Sequence, residues 1–228
     1  MRTEVPGRVD WSVAAERLCF LYPPVIGVGA IGVVEELDPG VPGLALGLVL
    51  FASVGYTALT VGLMTVVFLD ARAVRRTGRW RPSPLWNGLA AGILPPVAGP
   101  VYLHRRYGRL GVPETWNGWW IVVAVSLLAT LVGTVGAVAG LLFVLPGLVV
   151  TSAGMAAAIA FGTFPIAIHQ DAAHVSARPG GWAPNPGGYL GLAFLSLAVP
   201  PIQPVLATYY LVRRRRAIGF RFPALPGR

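Results

Sequence analysis

The sequence has no lysine, one cysteine and few charges of either sign. Charged residues make up 12% of its 228 residues, about half the fraction found in an ordinary soluble domain. Because 55% of the residues are hydrophobic, so few charges argue against a soluble globule, a disordered chain or a coiled coil. The single cysteine, Cys19, excludes an intramolecular disulfide and a thiolate metal cluster. The composition predicts an integral membrane protein.

What the sequence does contain is long apolar stretches. Five of them lack Asp, Glu, Arg and His, and the fourth is long enough for two membrane spans of about 20 residues each. We therefore predict an all-α integral membrane protein with six hydrophobic segments. The five stretches are Leu18–Val34, Pro39–Leu69, Pro82–Leu103, Thr115–Ile168 and Pro179–Val212.

The landmarks of the sequence occur twice in the same order, which indicates an internal duplication. Each copy has two apolar segments, an aspartate (Asp70 or Asp171), a Trp-x-Pro-x-Pro loop that begins at Trp80 or Trp182, and a third apolar segment. A proline pair, Pro95-Pro96 or Pro200-Pro201, interrupts that third segment. We predict two related halves, residues 1–113 and 114–228, with three segments each, that together form one membrane domain.

The third segment of each half has two interpretations. If it is a span kinked at its prolines, six spans place fourteen arginines inside and leave Arg105, Arg106, Arg109 and Arg178 outside. If it is a re-entrant hairpin broken at the proline pair, all 18 arginines lie on the cytoplasmic side. Both alternatives stay open. Both predict a multi-pass cell-membrane protein with cytoplasmic termini and an outside acidic stretch at residues 35–38.

No arrangement of side chains indicates catalysis. The sequence has no evident acid–base pair and no nucleophile with a base, so we predict no catalytic residue, no cofactor and no enzymatic activity. His169, Asp171 and His174 are the candidate metal ligands, at the edge of an apolar stretch. Residues five apart do not share a helix face as residues four apart do, and this favours interfacial polar residues over a metal site.

The arginines beside the apolar stretches have two candidate partners, nucleic acid and lipid. Their position at the ends of spans favours anionic lipid headgroups, at roughly 1 kcal/mol per basic residue, and no nucleic-acid partner is predicted. The predicted partners are therefore the bilayer and its anionic headgroups. The arginines assigned to headgroup contacts are Arg105, Arg106, Arg213, Arg214, Arg215 and Arg216.

These observations favour a polytopic membrane protein without enzymatic activity, in a structural, regulatory or accessory role. The alternative is a small duplicated transporter or a passive channel for a neutral solute, because no ionisable residue lies inside the apolar stretches. Glycine pairs such as Gly136 and Gly140 favour close packing inside one bundle, and a homo-oligomer is the other use of such pairs. A channel would have to use Ser53, Thr57, Thr60, Thr151, Ser152 or Gln203.

The second copy resembles a segment of small uncharacterised membrane proteins of halophilic archaea. The matching string begins at Trp182, includes the proline pair, and ends with Tyr210-Leu211 and Arg213-Arg214. The copy at 70–113 matches more loosely. The resemblance implies a polytopic cell-membrane protein with no assigned activity. The chain departs from the pattern at Arg215, where a histidine is expected, so no histidine role is carried over.

Overall fold

The computed structural model describes residues 10–37, 41–78, 80–113, 115–179 and 181–220. Over these residues the chain is helical and has no β-strand, which confirms the all-α prediction. Both termini and the acidic Asp38 fall outside the described residues. The helices are α1 (Trp11–Leu37), α2 (Leu44–Arg75), α3 (Pro84–Ile93), α4 (Pro95–Leu110), α5 (Trp119–Leu142), α6 (Pro146–Gly162), α7 (Phe164–Ser176), α8 (Pro186–Ala198) and α9 (Ile202–Ile218).

Four helical stretches are long and apolar enough to cross a membrane, as the composition predicts. They cover Trp11–Val33, Leu44–Arg75, Trp119–Leu142 and Pro146–Ser176, the last of which joins α6 and α7. The apolar helix α8 has only 13 residues. Its length is therefore about 20 Å, which is less than the ~30 Å hydrocarbon layer of a bilayer.

The chain divides into two compact units, residues 1–103 and 104–228. The boundary between these units lies inside α4, which continues to Leu110. Gly111 follows with a φ of 83°, in the left-handed region that ends a helix.

In the first unit, α1 and α2 pack as an antiparallel pair with glycines at their contact. A Cβ built at Gly29 would lie 3.1 Å from Ala52 Cβ, and one built at Gly55 would lie 3.5 Å from Val25 Cγ1. Tyr22 also lies against Tyr56, with ring centroids 5.4 Å apart. As residue numbers rise along α1 they fall along α2, so the two helices run in opposite directions.

The segment after α2 folds back on itself as the α3–α4 hairpin. The side chain of Ser83 accepts a hydrogen bond from Trp86 N at 3.4 Å, and Pro84 occupies the first turn, which is the predicted use of the Pro-x-Pro motif. At the other end, the rings of Trp80 and Tyr102 lie 5.6 Å apart. A single helix between these two residues would separate them by about 30 Å, so α3 and α4 must run in opposite directions.

In the second unit, α5 and α6 form a close antiparallel pair, and α7 lies in the core. A Cβ built at Gly133 would lie 2.9 Å from Ser152 O, and one at Gly140 would lie 2.9 Å from Val149 N. Most of α7 is buried, whereas α6 is largely exposed. The buried hydrophobic cluster joins α5, α7, α8 and α9 and contains Val123, Phe164, Ala167, Ile168, Ala172, Ala193, Leu206, Ala207 and Tyr210.

The α8–α9 hairpin repeats the geometry of the α3–α4 hairpin. Asn185 accepts a hydrogen bond from Gly188 N at 3.3 Å, and Pro186 occupies the first turn of α8. The rings of Tyr189, near the start of α8, and Tyr210, in α9, lie 5.0 Å apart. The apolar stretches that contain the two proline pairs are therefore each folded back and are not single kinked helices, since a continuous helix would hold these rings far apart.

Candidate functional site

The most polar buried site in the described residues lies where α7 meets α9. Arg214 Nε donates a hydrogen bond to Asp171 Oδ2 at 2.7 Å, and both side chains are fully buried. Tyr210 Oη donates to the same carboxylate oxygen, also at 2.7 Å. A buried carboxylate is stable only when it is paired and hydrogen-bonded. These two donors supply that pairing at Oδ2, whereas Oδ1 is buried without a hydrogen-bond partner within the described residues.

Both terminal nitrogens of Arg214 also donate to protein atoms. Nη1 donates to Gly219 O at 2.6 Å, and Nη2 donates to Asn117 Oδ1 at 3.0 Å. The guanidinium carbon lies 5.5 Å from the ring centroid of Trp120 and 5.8 Å from that of Phe220, within the range of a cation–π interaction. Arg214 thus connects α7, α9, the segment before α5 and the residues after α9.

This environment corrects the headgroup contact predicted for Arg214. Its side chain is buried and each of its three guanidinium nitrogens donates to a protein atom, so it cannot reach a lipid. Its neighbours Arg213, Arg215 and Arg216 are exposed, as is Arg105, and Arg106 is half-buried. The headgroup contacts of these five arginines stay predictions.

The first unit contains a related hydrogen bond in the corresponding positions of its own sequence. Tyr102 Oη donates to Asp70 Oδ2 at 2.7 Å, and both side chains are buried. In each unit the tyrosine also lies against the tryptophan of the Trp-x-Pro-x-Pro loop, with centroids 5.6 Å apart for Trp80 and 5.4 Å for Trp182. Each aspartate lies in the last turns of a helix, past the end of the apolar stretch drawn from the sequence, and is engaged rather than left at an interface.

The structure does not bring the candidate metal ligands together. No group of three or more histidine, cysteine or acidic side chains in the described parts of the chain could hold a metal ion. Asp171 is occupied by the Arg214 cation, which repels a metal. His174 Nδ1 donates to Thr115 O at 2.7 Å, and the His169 ring lies 6.0 Å from that of Tyr107. His174 thus ties the segment around residue 115 to α7, and the ring of His169 lies near that of Tyr107 in α4.

A second polar feature lies on the surface at the base of the α8–α9 hairpin. A shallow cavity of about 260 Å³ is lined by Gly181, Trp182, Arg213, Arg216 and Ala217. The guanidinium carbon of Arg213 lies 5.6 Å from the ring centroid of Trp182. This cavity thus combines two exposed positive charges with an aromatic wall.

Four of the polar residues considered for a channel form local hydrogen bonds within their own helices. Each hydroxyl donates its single proton to the carbonyl oxygen four residues earlier, which gives it a local partner within its helix. Gln203 is different, because its Nε2 is buried and has no hydrogen-bond partner within the described residues. The locally bonded residues are Ser53, Thr57, Thr60 and Thr151.

The ion pair between Asp171 and Arg214 was not predicted from the sequence, although the spacing of residues along α9 indicates that Arg214 is buried. Gln203, Ala207, Tyr210 and Arg214 follow one another at spacings of three or four residues, so they share one face of α9. This face is buried. An arginine in phase with buried residues differs from its exposed neighbours, and it requires an internal carboxylate such as Asp171.

The arrangement can hold two hairpins in place and can present positive charge on one surface. Asp171 is held as the partner of an arginine, which favours a structural role over proton transfer for this carboxylate. The comparisons with known proteins add no assignment: no family model, curated protein or solved structure matches this chain.

Proposed function

We propose that this chain is a four-span integral membrane protein in which the α3–α4 and α8–α9 hairpins enter the bilayer from one side and return to it. The ring contacts that fold each hairpin back on itself are the observation that supports this proposal most directly. The hairpin tips are also apolar and exposed: Ile93 and Leu94 in the first, Val199 in the second. Such tips favour hydrocarbon over water.

The depth of the first hairpin can be read from α2, which it packs against. A Cβ at Gly92 would lie 3.1 Å from Met64 Sδ, and one at Gly99 would lie 3.2 Å from Leu63 Cδ2. The hairpin base lies at Asp70, where Tyr102 binds. The tip is thus about two helical turns deeper than the base, or roughly 10 Å, and this supports entry into the bilayer without a full crossing.

The charges support the same arrangement. With four spans and two re-entrant hairpins, all 18 arginines lie on one side of the membrane and the acidic stretch 35–38 lies on the other. By the positive-inside rule the arginine side is cytoplasmic, as are both termini. Each half then has two spans and one hairpin.

The duplication predicted from the sequence is part of this proposal. Its support is local and repeated: a capped Pro-x-Pro entry at Ser83 and Asn185, a break at the proline pair, and a Tyr–Asp hydrogen bond near each hairpin base. Such agreement in position and chemistry is the expectation for two copies of one ancestral unit.

The role we propose for this membrane protein is non-enzymatic, and it is structural, regulatory or accessory. It acts at the cytoplasmic face of the cell membrane, where the exposed arginines hold anionic lipid headgroups. The support is a positive surface next to spans, together with an aspartate that is engaged in an internal ion pair. The resemblance to membrane proteins of halophilic archaea agrees with this location.

The topology can be tested by labelling single cysteines with a membrane-impermeant maleimide in oriented vesicles. The positions are Gly108, Phe143 and Gly181, in a Cys19→Ala background. All three are exposed, and a Cβ at Gly108 or Gly181 meets no close atom. The four-span arrangement predicts that cysteines at 108 and 181 react only from the cytoplasmic side and that a cysteine at 143 reacts only from outside.

The six-span alternative predicts the reverse side at all three positions. Because all three precede α8, this labelling tests the re-entry of the first hairpin. The Cys19→Ala protein alone is the unlabelled control. Labelling of position 108 from outside, together with labelling of position 143 from the cytoplasmic side, would overturn the re-entrant arrangement.

The headgroup role can be tested with purified protein in a neutral detergent. We expect micelles that contain phosphatidylglycerol to bind more tightly than micelles that contain phosphatidylcholine, and we expect salt to weaken this preference because exposed charges are screened. Equal binding of both lipids at low salt would contradict the role.

The second candidate function is a passive channel for a neutral solute, and Gln203 is the observation that favours it. Its Nε2 is buried and lacks a hydrogen-bond partner within the described residues. A donor that binds a passing solute would have the same free hydrogen-bonding capacity in the absence of the solute. Vesicles that contain the protein should then swell in a gradient of glycerol or urea, and Gln203→Leu should abolish the swelling. Absence of swelling with the unmodified protein would exclude this function for those solutes.

A further inference from the structure

The second unit has a large excess of positive charge that its own acids do not neutralise. Residues 104–228 contain ten arginines and only two acids, Glu114 and Asp171. Asp171 is sealed by Arg214 inside the protein, and Glu114 lies outside the described residues. Within the described residues of this unit, the exposed arginines of α9 therefore have no free acid beside them and can bind an anion from another molecule.

The cavity at the hairpin base gathers part of this charge in one place. Arg213 and Arg216 are three residues apart on α9, so their side chains share a face of the helix and lie close together. Arg213 is also held against the ring of Trp182 at 5.6 Å, which limits its freedom before any ligand binds. Two guanidiniums on one face suit an anion with several oxygens, such as a phosphate group.

The small residues of the cavity leave room for such an anion. A Cβ at Gly181 would meet no atom within 4 Å, and Ala217 presents only a methyl group. The cavity volume of about 260 Å³ exceeds that of one phosphate group several-fold. A glycerol moiety and the start of an acyl chain can also fit against the indole of Trp182.

We propose that Trp182, Arg213 and Arg216 form a binding site for the phosphate of one anionic phospholipid, at the cytoplasmic base of the α8–α9 hairpin. This inference rests on the proposed function, because the re-entrant hairpin is what places the cavity at headgroup depth. Trp182 lies at the entry to that hairpin, where an indole is favoured at the membrane interface. The guanidiniums bind the phosphate oxygens, and the acyl chains extend along the apolar surface of the hairpin.

The test measures binding of dioctanoyl phosphatidylglycerol to the full-length protein by native mass spectrometry. At about 1 kcal/mol for each arginine, Arg213→Gln with Arg216→Gln should weaken binding of the first lipid roughly 20- to 30-fold. The matched control is Arg215→Gln, which removes an exposed charge between the two without lining the cavity. We expect less than about a twofold effect for this control at 0.15 M salt.

A second variant fills the cavity without changing the charge. Ala217→Phe should weaken binding of the first lipid as strongly as loss of the two arginines, whereas a diffuse basic surface would not respond to it. Because Arg213, Arg216 and Ala217 lie at the surface, the helical circular dichroism of all variants should match that of the unmodified protein.

The outcomes separate this inference from the proposed function. If the unmodified protein prefers phosphatidylglycerol but both the double variant and Ala217→Phe resemble Arg215→Gln, the specific site is refuted and the general headgroup role survives. If the unmodified protein has no preference, both fail. The last measurement is a competition between the lipid and inorganic phosphate. If an equal concentration of phosphate displaces the lipid, the assignment to a lipid is overturned, because the free anion is then the better ligand.

Discussion

The two units use the same hairpin base but differ in charge. Residues 1–103 contain eight arginines and seven acids, whereas residues 104–228 contain ten arginines and two acids. In both, a tyrosine of the returning helix donates a 2.7 Å hydrogen bond to a buried aspartate. The aromatic and carboxylate contact therefore belongs to the fold itself, and the surplus charge belongs to one unit only.

The comparison also separates two uses of arginine in one short run. In the second unit Arg214 is buried against Asp171, while Arg213, Arg215 and Arg216 are exposed. In the first copy the residue that corresponds to Arg214 in sequence is Arg106, which follows the end of that unit. A charge that stabilises the fold and a charge that can meet a ligand are thus neighbours in sequence.

The largest effect on stability is expected when the buried arginine of the second unit is removed. Arg214→Met leaves Asp171 buried beside a neutral side chain and should lower the free energy of unfolding by about 3–5 kcal/mol. The measurement is an SDS titration in mixed micelles followed by tryptophan fluorescence.

Two further variants serve as controls for this prediction. The Asp171→Leu, Arg214→Met double variant should recover part of the loss, because a hydrophobic pair replaces a buried ion pair at little cost. Arg215→Gln should change unfolding by less than about 0.5 kcal/mol. An Arg214→Met protein as stable as Arg215→Gln would show that the ion pair contributes nothing.

The next test compares the contributions of Tyr102 and Tyr210 to the free energy of unfolding. Tyr102→Phe and Tyr210→Phe each remove one hydrogen bond to a carboxylate and should each lower the free energy of unfolding by about 1.5–3 kcal/mol. In the second unit the loss should be coupled to Arg214, because both donors share Asp171 Oδ2. A double-mutant cycle of Tyr210→Phe with Arg214→Met, measured by the same titration, checks this coupling. Strict additivity would contradict a shared network.

The smallest expected effect concerns glycines at helix contacts, where the two units differ in what obstructs a side chain. In the first unit, a Cβ at Gly99 would lie 2.6 Å from Cys19 Sγ. In the second, a Cβ at Gly133 would lie 2.9 Å from the backbone oxygen of Ser152. Gly99→Ala and Gly133→Ala should each lower the free energy of unfolding by about 1–3 kcal/mol, as overpacking does.

The repair experiment distinguishes the two glycines. Cys19→Ala should rescue Gly99→Ala because it removes the obstructing sulfur, whereas Ser152→Ala should not rescue Gly133→Ala because the backbone oxygen stays. Gly154→Ala is the matched control, since a Cβ there meets nothing within 4 Å. Equal stability of Gly133→Ala and Gly154→Ala would show that α5 and α6 are packed less closely than described.

Much of the fold could be predicted because its signals are local. Apolar length predicts the long helices, and the Pro-x-Pro entries at Ser83 and Asn185 predict a capped helix start. The proline pairs predict a break, but the sequence could not decide between a kink and a fold-back. That choice depends on contacts between residues more than 20 positions apart, such as Tyr189 with Tyr210.

The candidate site was harder to predict for the same reason. Four consecutive arginines at 213–216 have identical chemistry, and only the phase of α9 against its neighbours separates Arg214 from the others. His169, Asp171 and His174 were grouped by closeness in sequence, but a metal site requires side chains that converge in space. The spacing of residues in the sequence places Arg214 on the buried face of α9. It does not show which carboxylate the arginine contacts on a neighbouring helix.

The short arms of the hairpins have a consequence for how the protein is made. Arms such as α8, with 13 residues, are shorter than the roughly 20 apolar residues that partition into a bilayer as an independent span. In the arrangement proposed here, the α3–α4 hairpin should enter the membrane only after α2 is already inserted, because its tip packs against Met64 and Leu63. Biosynthesis then has a fixed order within each half, in which the preceding span serves as the template for the hairpin that follows it.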